Sequence, residues 1–458
     1  MHRFAPVTSA SGKACRFLSK LAFINGNIAS KSVLMDRINT TLFVIQCRHH
    51  SVGVYIHWPY CKKHCHYCNF NKVVQQLVDH DRMTECMIRA VKGLLQLGHV
   101  KTVKSIYFGG GTPSLCKPDN IQRMISAISQ CATLGDDIEI TMEANPTSTE
   151  MEKMGHFKQA GINRLSLGIQ ALNDKDLQIL GRDHDAAQAK QAIDIAKAHF
   201  PKRTSIDLIF ARPNQTIPEW STELEKAISM CDNHVSLYQL TLERGTKLHK
   251  QVQQQSLHLP DEDIIAQMYE NAINTMRRYG YQRYEVSNFA KQGAISQHNL
   301  SYWTSNDYIG VGPGAHGRLI IPSLEYQRYA MIQCLSPNHW MTMVEQGKLG
   351  IQKMQKQSEM ERLTELILLG MRTPAGISRK RWDSIASPKL EFNKVFQLLY
   401  RCQSEFNPDT LLHHLILDEF ITIDTDAIRP TFQGISILDR IIPNIVIHLE
   451  DYFAQQQM

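Results

Sequence analysis

The chain of 458 residues has no uninterrupted apolar run approaching the roughly 18 residues that a membrane-spanning helix needs, so a spanning segment is excluded by length. It has no basic surplus outside its first 50 residues. Arg3, Lys13, Arg16, Lys20, Lys31, Arg37 and Arg48 stand there against the single acid Asp36, which gives +6, equal to the formal charge of the whole chain. The remainder is therefore neutral, and a broad nucleic-acid footprint, which requires a basic face, is not expected. It has no disulfide framework either: the 11 cysteines are odd in number and cluster only at 61, 65 and 68, which points to a reducing compartment. Cys15, Cys47, Cys86, Cys116, Cys131, Cys231, Cys334 and Cys402 read as small apolar side chains. No internal repeat or low-complexity tract stands out.

With 43% hydrophobic and 21% charged residues, the chain can bury a large core. Residues 1–50, rich in Arg, Ser and Ala and poor in acid, have the composition of a mitochondrial transit peptide; a basic tail in the cytosol is the plain alternative. From residue 52, β-branched or aromatic runs recur at 52–58, 103–108, 138–143, 164–170, 204–210 and 234–240. Between them lie segments such as DHDRMTECMIRAVKGLLQLG and DAAQAKQAIDIAKAHF, whose apolar residues fall at helical spacing. Strands alternating with helices predict parallel pairing with helices outside. Six units are too few to close an eightfold barrel, so the fold class expected is α/β, a partial (β/α)6 barrel over 51–290, with chemistry where strands end. Residues 291–350 read as an irregular segment. Residues 351–458 read as a small α+β domain of winged-helix type, with a helix over 358–372, strand-like EFITIDTDAIRPTF and helix-like LDRIIPNIVIHLEDYF.

The stretch YIHWPYCKKHCHYCNFNK carries Cys61, Cys65 and Cys68 at the spacing C-x3-C-x2-C behind the first strand. A structural zinc site wants four ligands and no second cysteine pair follows, although zinc could recruit His64 or His66. Three thiolates can instead hold three irons of a 4Fe–4S cluster and leave the fourth open, as a ligand-binding metal requires. One strand later, FGGGTPS places glycines where a ligand can approach the backbone, with N–H groups able to meet a carboxylate. TMEANP then puts Glu143 at the end of the third strand, where the bland reading is a helix cap.

The cysteine spacing in this setting resembles the radical S-adenosylmethionine (SAM) superfamily. The resemblance implies that the open iron chelates SAM and that reduction splits the sulfonium bond to a 5′-deoxyadenosyl radical. It is nearest the coproporphyrinogen dehydrogenase-like branch and covers residues 51 to about 320. Carried onto this chain, it implies SAM contacts at Tyr55, Gly110, Gly111, Thr112, Glu143, Gln170, Arg182 and Asp207, with Tyr67 packed beside them. As strand and loop residues, the tyrosines could equally be packed aromatics with satisfied hydroxyls.

Two functions compete within that branch. Dehydrogenases, which oxidatively decarboxylate coproporphyrinogen III, usually read C-x3-C-x2-C-x-C, but here Phe70 follows Asn69. CNFN instead resembles the haem chaperones, for which 4Fe–4S, SAM and haem are the cofactors and haem is the cargo. HNLSYW at 298–303 matches the same type. His298 could ligate haem iron with Tyr302 and Trp303 against the porphyrin, or these residues could simply fix a loop and fill the core. His316 is a second candidate ligand. GVGPGAHG carries the spacing G-x-G-x-x-G, but Pro322 stands where a helix would start, so it is not read as a nucleotide site. The expected partners are haem, haem-accepting proteins and an electron donor, with peripheral membrane contact and a homodimer as further expectations. A coproporphyrinogen dehydrogenase and a zinc-stabilised scaffold are the alternatives.

Overall fold

The structure, a computed structural model, describes residues 50–75, 77–401, 415–416 and 418–456. The leader before His50 and Cys402 lie outside the described residues. All six short runs are strands: β1 (Ser51–Trp58), β2 (Thr102–Gly110), β3 (Thr133–Ala144), β4 (Arg164–Gln170), β5 (Thr204–Phe210) and β6 (His234–Gln239). They pair in that order and all in parallel. Three of the longer intervening helices begin where the sequence supplies acceptors for their first free N–H groups. Asp79 caps the helix His80–Leu97, and Asp185 with Gln188 and Thr216 with Glu219 form capping boxes on Ala186–His199 and Ile217–Met230.

Alternation along each strand separates two faces. The outward positions, such as Val54, Ile56, Phe108, Met142, Leu167 and Leu208, are buried in one hydrophobic core beneath the helices. The opposite positions are polar: Tyr55, His57, Tyr107, Glu143, Ser166 and Asp207 face the hollow of the sheet, and Tyr107 stacks on Tyr55 while the Ser166 hydroxyl reaches Asp207. A face of that kind stays polar only if something polar occupies it or covers it.

The reading of 291–350 as irregular is corrected. Ser296 caps a seven-residue helix, Gln297–Trp303, and four further strands follow: β7 (Tyr308–Val311), β8 (His316–Ile321), β9 (Gln327–Gln333) and β10 (Ile351–Lys356). β7 pairs in parallel with the free side of β1, and β8, β9 and β10 continue antiparallel. Asn288–Ala290 and Gln282–Arg283 extend the other end, giving an open twelve-stranded sheet. GVGPGAHG is the connection between antiparallel β7 and β8, with no helix after it, so its rejection as a phosphate loop holds.

The described residues from Glu359 onward pack on a core of their own. Leu363, Leu366, Ile367 and Met371, the apolar positions of helix Glu359–Gly370, join Trp382, Phe392 and Ile441 there. Ile377–Ser378, Ala427–Pro430 and Ile421–Ile423 form a small antiparallel sheet. Residues 402–414, which fall inside the expected winged-helix arrangement, lie outside the described residues. Glu365 ties this part to the large sheet through Arg318 and Arg328, and Arg328 continues to Asp307. The guanidinium of Arg328 and a hydrogen bond from His50 outweigh burial at Asp307 and hold its carboxyl down at about 2.

Candidate functional site

The carboxyl ends of β1 to β5 and the loops after them collect the candidate residues on one side of the hollow, the location general for open α/β sheets. β1 ends at Trp58 and runs directly into the cysteine loop. Tyr60–Cys61 pairs in parallel with Val73–Val74, so the loop closes as a short clasp carrying Cys61, Cys65 and Cys68.

The glycine segment crosses under that clasp. A Cβ on Gly111 would lie 2.7 Å from the Tyr60 carbonyl oxygen and 2.9 Å from the Pro59 carbonyl carbon, and Gly110 has a φ of 110°. Only glycine fits such an approach. These N–H groups have partners within the chain, one of them a carboxylate. Gly110 N–H donates to Glu143 Oε2 (3.2 Å), Gly111 N–H to the Trp58 carbonyl (2.6 Å) and Thr112 N–H to the Tyr60 carbonyl (2.9 Å). The segment supplies close approach, while its donors hold the clasp and Glu143.

Glu143 also accepts from the Tyr107 hydroxyl (2.9 Å), and burial pushes its carboxyl up to about 7. Tyr55 stacks on Tyr107 with centroids 6.0 Å apart, and its hydroxyl lies 3.2 Å from His57 Nδ1. Asp207, next along the polar face, is pushed up to about 6 by burial despite the hydroxyls of Ser236 and Ser166. Gln170 ends β4 at a φ of 69°, a left-handed conformation that costs a non-glycine residue about 1 kcal/mol or more. Its carbonyl accepts from the buried Arg212 guanidinium (3.3 Å). Tyr67 sits half-buried against the small cluster of Leu180, Ile209, Leu240 and Leu248.

Two side chains reach the sulfurs. The Thr112 hydroxyl donates to Cys61 Sγ (3.4 Å), and Arg182 Nη1 donates to Cys65 Sγ (3.2 Å). Arg182 also donates to Asn145 Oδ1 (2.7 Å) and the Gly168 carbonyl (2.9 Å), while its Nε is buried without a partner. Burial pushes the Cys61 thiol up to about 11, so a bound cation must supply what ionises it. Among the described residues no three His, Cys, Asp or Glu converge as the ligands of one metal ion must. His66 is engaged at both ring nitrogens, by the Ile179 carbonyl and Lys247. Cys61, Cys65 and Cys68 share one loop, and each would take its own iron of a cluster.

His298 follows the second of its two readings, a residue that fixes a loop and fills the core. Its ring is buried 5.0 Å from Tyr107, and both nitrogens are taken, Nδ1 by the Ser105 hydroxyl and Nε2 by the Tyr302 hydroxyl, each at 2.8 Å. Burial holds the ring neutral, with its pKa lowered to about 3. Below it Glu139 receives the Ser296 hydroxyl and the N–H groups of Gln297 and His298, so the helix floors the hollow. A ring spent on two hydrogen bonds is not a free axial ligand, and Tyr302 packs edge-on to Tyr308 instead of lying open to a porphyrin. His316 stands exposed at the start of β8. His57, Tyr107 and Asn145 join the site without a motif of their own in the sequence. Position alone carried a signal: Tyr107 is in register with Tyr55, His57 lies two residues along the same strand, and Asn145 follows Glu143 by two.

A parallel sheet with a three-cysteine clasp resting on a glycine crossing defines a protein built to hold an iron–sulfur cluster short of one protein ligand. Residues 55–227 match the Radical SAM superfamily, and the chain belongs to that superfamily, whose cofactors are a 4Fe–4S cluster and SAM. Over 432 residues it is 38% identical to radical S-adenosyl methionine domain-containing protein 1, mitochondrial, of Danio rerio, covering 93% of each chain. It is 38% identical over 287 residues to the heme chaperone HemW of Haemophilus influenzae, covering 61% of this chain and 73% of that one. Coproporphyrinogen III oxidase (HemN) of Escherichia coli shares the fold at 18% identity, with a TM-score of 0.69 over 90% of this chain and 93% of that one.

Proposed function

We propose that this protein is a mitochondrial haem chaperone on a radical SAM fold. Cys61, Cys65 and Cys68 would hold the cluster. Tyr55, Gly110, Gly111, Thr112 and Glu143 would border SAM, with Tyr67, Gln170, Arg182 and Asp207 around it. Bound together, cluster and SAM supply one-electron cleavage of a sulfonium bond. The chain's own residues supply two donors to the thiolates, two half-buried carboxyls for an ammonium or sugar hydroxyls, and a wall of the stacked rings of Tyr55 and Tyr107.

The observation that carries the chaperone reading over the dehydrogenase is Phe70. It stands half exposed where the dehydrogenase pattern has a fourth cysteine, leaving the clasp with three sulfurs. The names of the relatives, heme chaperone HemW and mitochondrial proteins among them, support haem as cargo and the mitochondrion as location. Among the described residues no helix is long and apolar enough to cross a membrane. No haem ligand is assigned to His298.

Anaerobically purified protein is expected to be brown, with iron and sulfide, and to pass haem to an apo-acceptor without releasing carbon dioxide from coproporphyrinogen. Decarboxylation in the presence of SAM and a strong reductant would make it a dehydrogenase. Colourless protein with stoichiometric zinc would remove the radical SAM chemistry altogether.

A further inference from the structure

The two donors that reach the sulfurs are joined through one side chain. Asn145 lies between them, accepting from Arg182 Nη2 at Oδ1 (2.7 Å) and placing Nδ2 3.4 Å from the Thr112 hydroxyl oxygen. The direction of every proton follows from chemistry. A guanidinium only donates, so the amide must turn its oxygen to Arg182 and its NH2 to Thr112. With an N–H directed at its oxygen, the Thr112 hydroxyl is left to point its own proton at Cys61 Sγ, 3.4 Å away. Arg182 meanwhile is held so that Nη1 meets Cys65 Sγ at 3.2 Å. Asn145 thus sets both donors with their protons aimed at two different cysteines.

We propose that Asn145 is a positioning residue for the cluster, and that through Thr112 and Arg182 it raises the cluster's reduction potential. The inference rests on the proposal that Cys61 and Cys65 are cluster ligands. Hydrogen bonds to cluster sulfurs favour the more negative, reduced state and are one of the protein's means of setting potential. Networks of this kind stand or fall together, since each bond orients and polarises the next. Thr112 is the sensitive member: its hydroxyl can turn, and only the Asn145 NH2 keeps it from spending its proton elsewhere.

The test is spectroelectrochemical titration of the reconstituted cluster in wild type, Asn145→Ala, Asn145→Asp, Thr112→Val and Asn145→Ala/Thr112→Val, with iron and sulfide content and a thermal melt for each. Asn145→Ala should keep its iron, and at the wild-type midpoint its ratio of reduced to oxidised cluster should fall about tenfold, which is 59 mV for a one-electron couple. Asn145→Asp keeps the size and still accepts from Arg182. Its carboxylate cannot donate to Thr112 and draws the hydroxyl proton away from Cys61, so it should fall as well. Adding Asn145→Ala to Thr112→Val should cost less than it does in wild type.

A wild-type potential in both single variants with full iron overturns the proposal, and so does strict additivity in the double variant. Loss of the cluster in both Asn145 variants, with Thr112→Val retaining it, also overturns it, because Asn145 would then be holding the loop itself. A colourless wild type identifies failure of the underlying cluster reading instead.

Discussion

Replacing His298 separates a tied floor residue from a free ligand. The imidazole is 1% exposed, so its removal takes a partner from two buried hydroxyls, Ser105 and Tyr302, and a stacking neighbour from Tyr107. An unpaired buried polar group costs about 1–3 kcal/mol, and an aromatic pair contributes about 0.5–1.5 kcal/mol. Water entering the hole offsets part of this, which leaves a loss of roughly 3–5 kcal/mol for His298→Ala. His298→Gln can donate to one hydroxyl and accept from the other, and should recover about half of that. The sign with pH follows from the lowered ring pKa. The unfolded imidazole takes up a proton below about 6.5, while the folded ring resists until about 3. The unfolded state therefore binds more protons, and His298 costs wild type stability as pH falls through that window. His298→Gln should lack this component. Urea unfolding of the metal-free protein, followed by tryptophan fluorescence at several pH values, reads both effects. Stability of His298→Ala within about 0.5 kcal/mol of wild type, the scatter of neutral substitutions, together with lost haem affinity, would refute the tied ring and restore it as a ligand.

Glu143 works in the opposite sense. Its folded pKa of about 7 lies above the ordinary 4.5, so the folded state keeps a proton that the unfolded state gives up. The metal-free protein should lose on the order of 3 kcal/mol from this group as pH rises from 4.5 to 7, and the difference between wild type and Glu143→Gln in the same unfolding assay isolates it. Gly111→Ala drives a methyl into the backbone of Pro59 and Tyr60, and should cost about 1–3 kcal/mol and lower the iron retained after reconstitution; unchanged stability and iron would contradict the crossing. Arg212→Met leaves the carboxylates of Asp176 and Glu223 buried without their cation. A loss of about 3–5 kcal/mol is expected, checked by denaturant midpoint. Residues 1–50 fused to a fluorescent reporter should direct it to mitochondria, and a cytosolic distribution would remove the targeting reading.

The strands were legible because each is a short β-branched or aromatic run set between helical segments, and the cysteine clasp because its spacing is local. The helix Gln297–Trp303 was not. Seven residues give barely two turns of periodicity, and its start is fixed by Ser296 and by Glu139, which lies 157 residues away in sequence. The use of these N–H groups was hidden for a similar reason, since the acceptors of Gly110, Gly111 and Thr112 are the Glu143 carboxylate and the Trp58 and Tyr60 carbonyls, all on other segments. His298 is a ligand candidate through the resemblance and a packed loop residue by residue type, and Ser105 and Tyr302 beside it decide for the second. Gln170 gave no sign of its left-handed backbone, which Arg212 and the fold impose from outside.

β1, which leads into the clasp, has neighbours of very different age. β2 follows it within about fifty residues, but β7 emerges only some 200 residues after β2, and until then one edge of β1 has unpaired backbone groups. A chain that folds from its amino end displays three thiols on a half-built strand until β7 is in place. Iron delivered in that interval would meet a clasp without its lasting frame, and the exposed edge invites mispairing. Maturation of the centre is thus scheduled by topology: metal loading belongs after closure of the β1–β7 seam, and a chain truncated before Tyr308 should accumulate as a colourless, aggregation-prone species even with every cysteine in place.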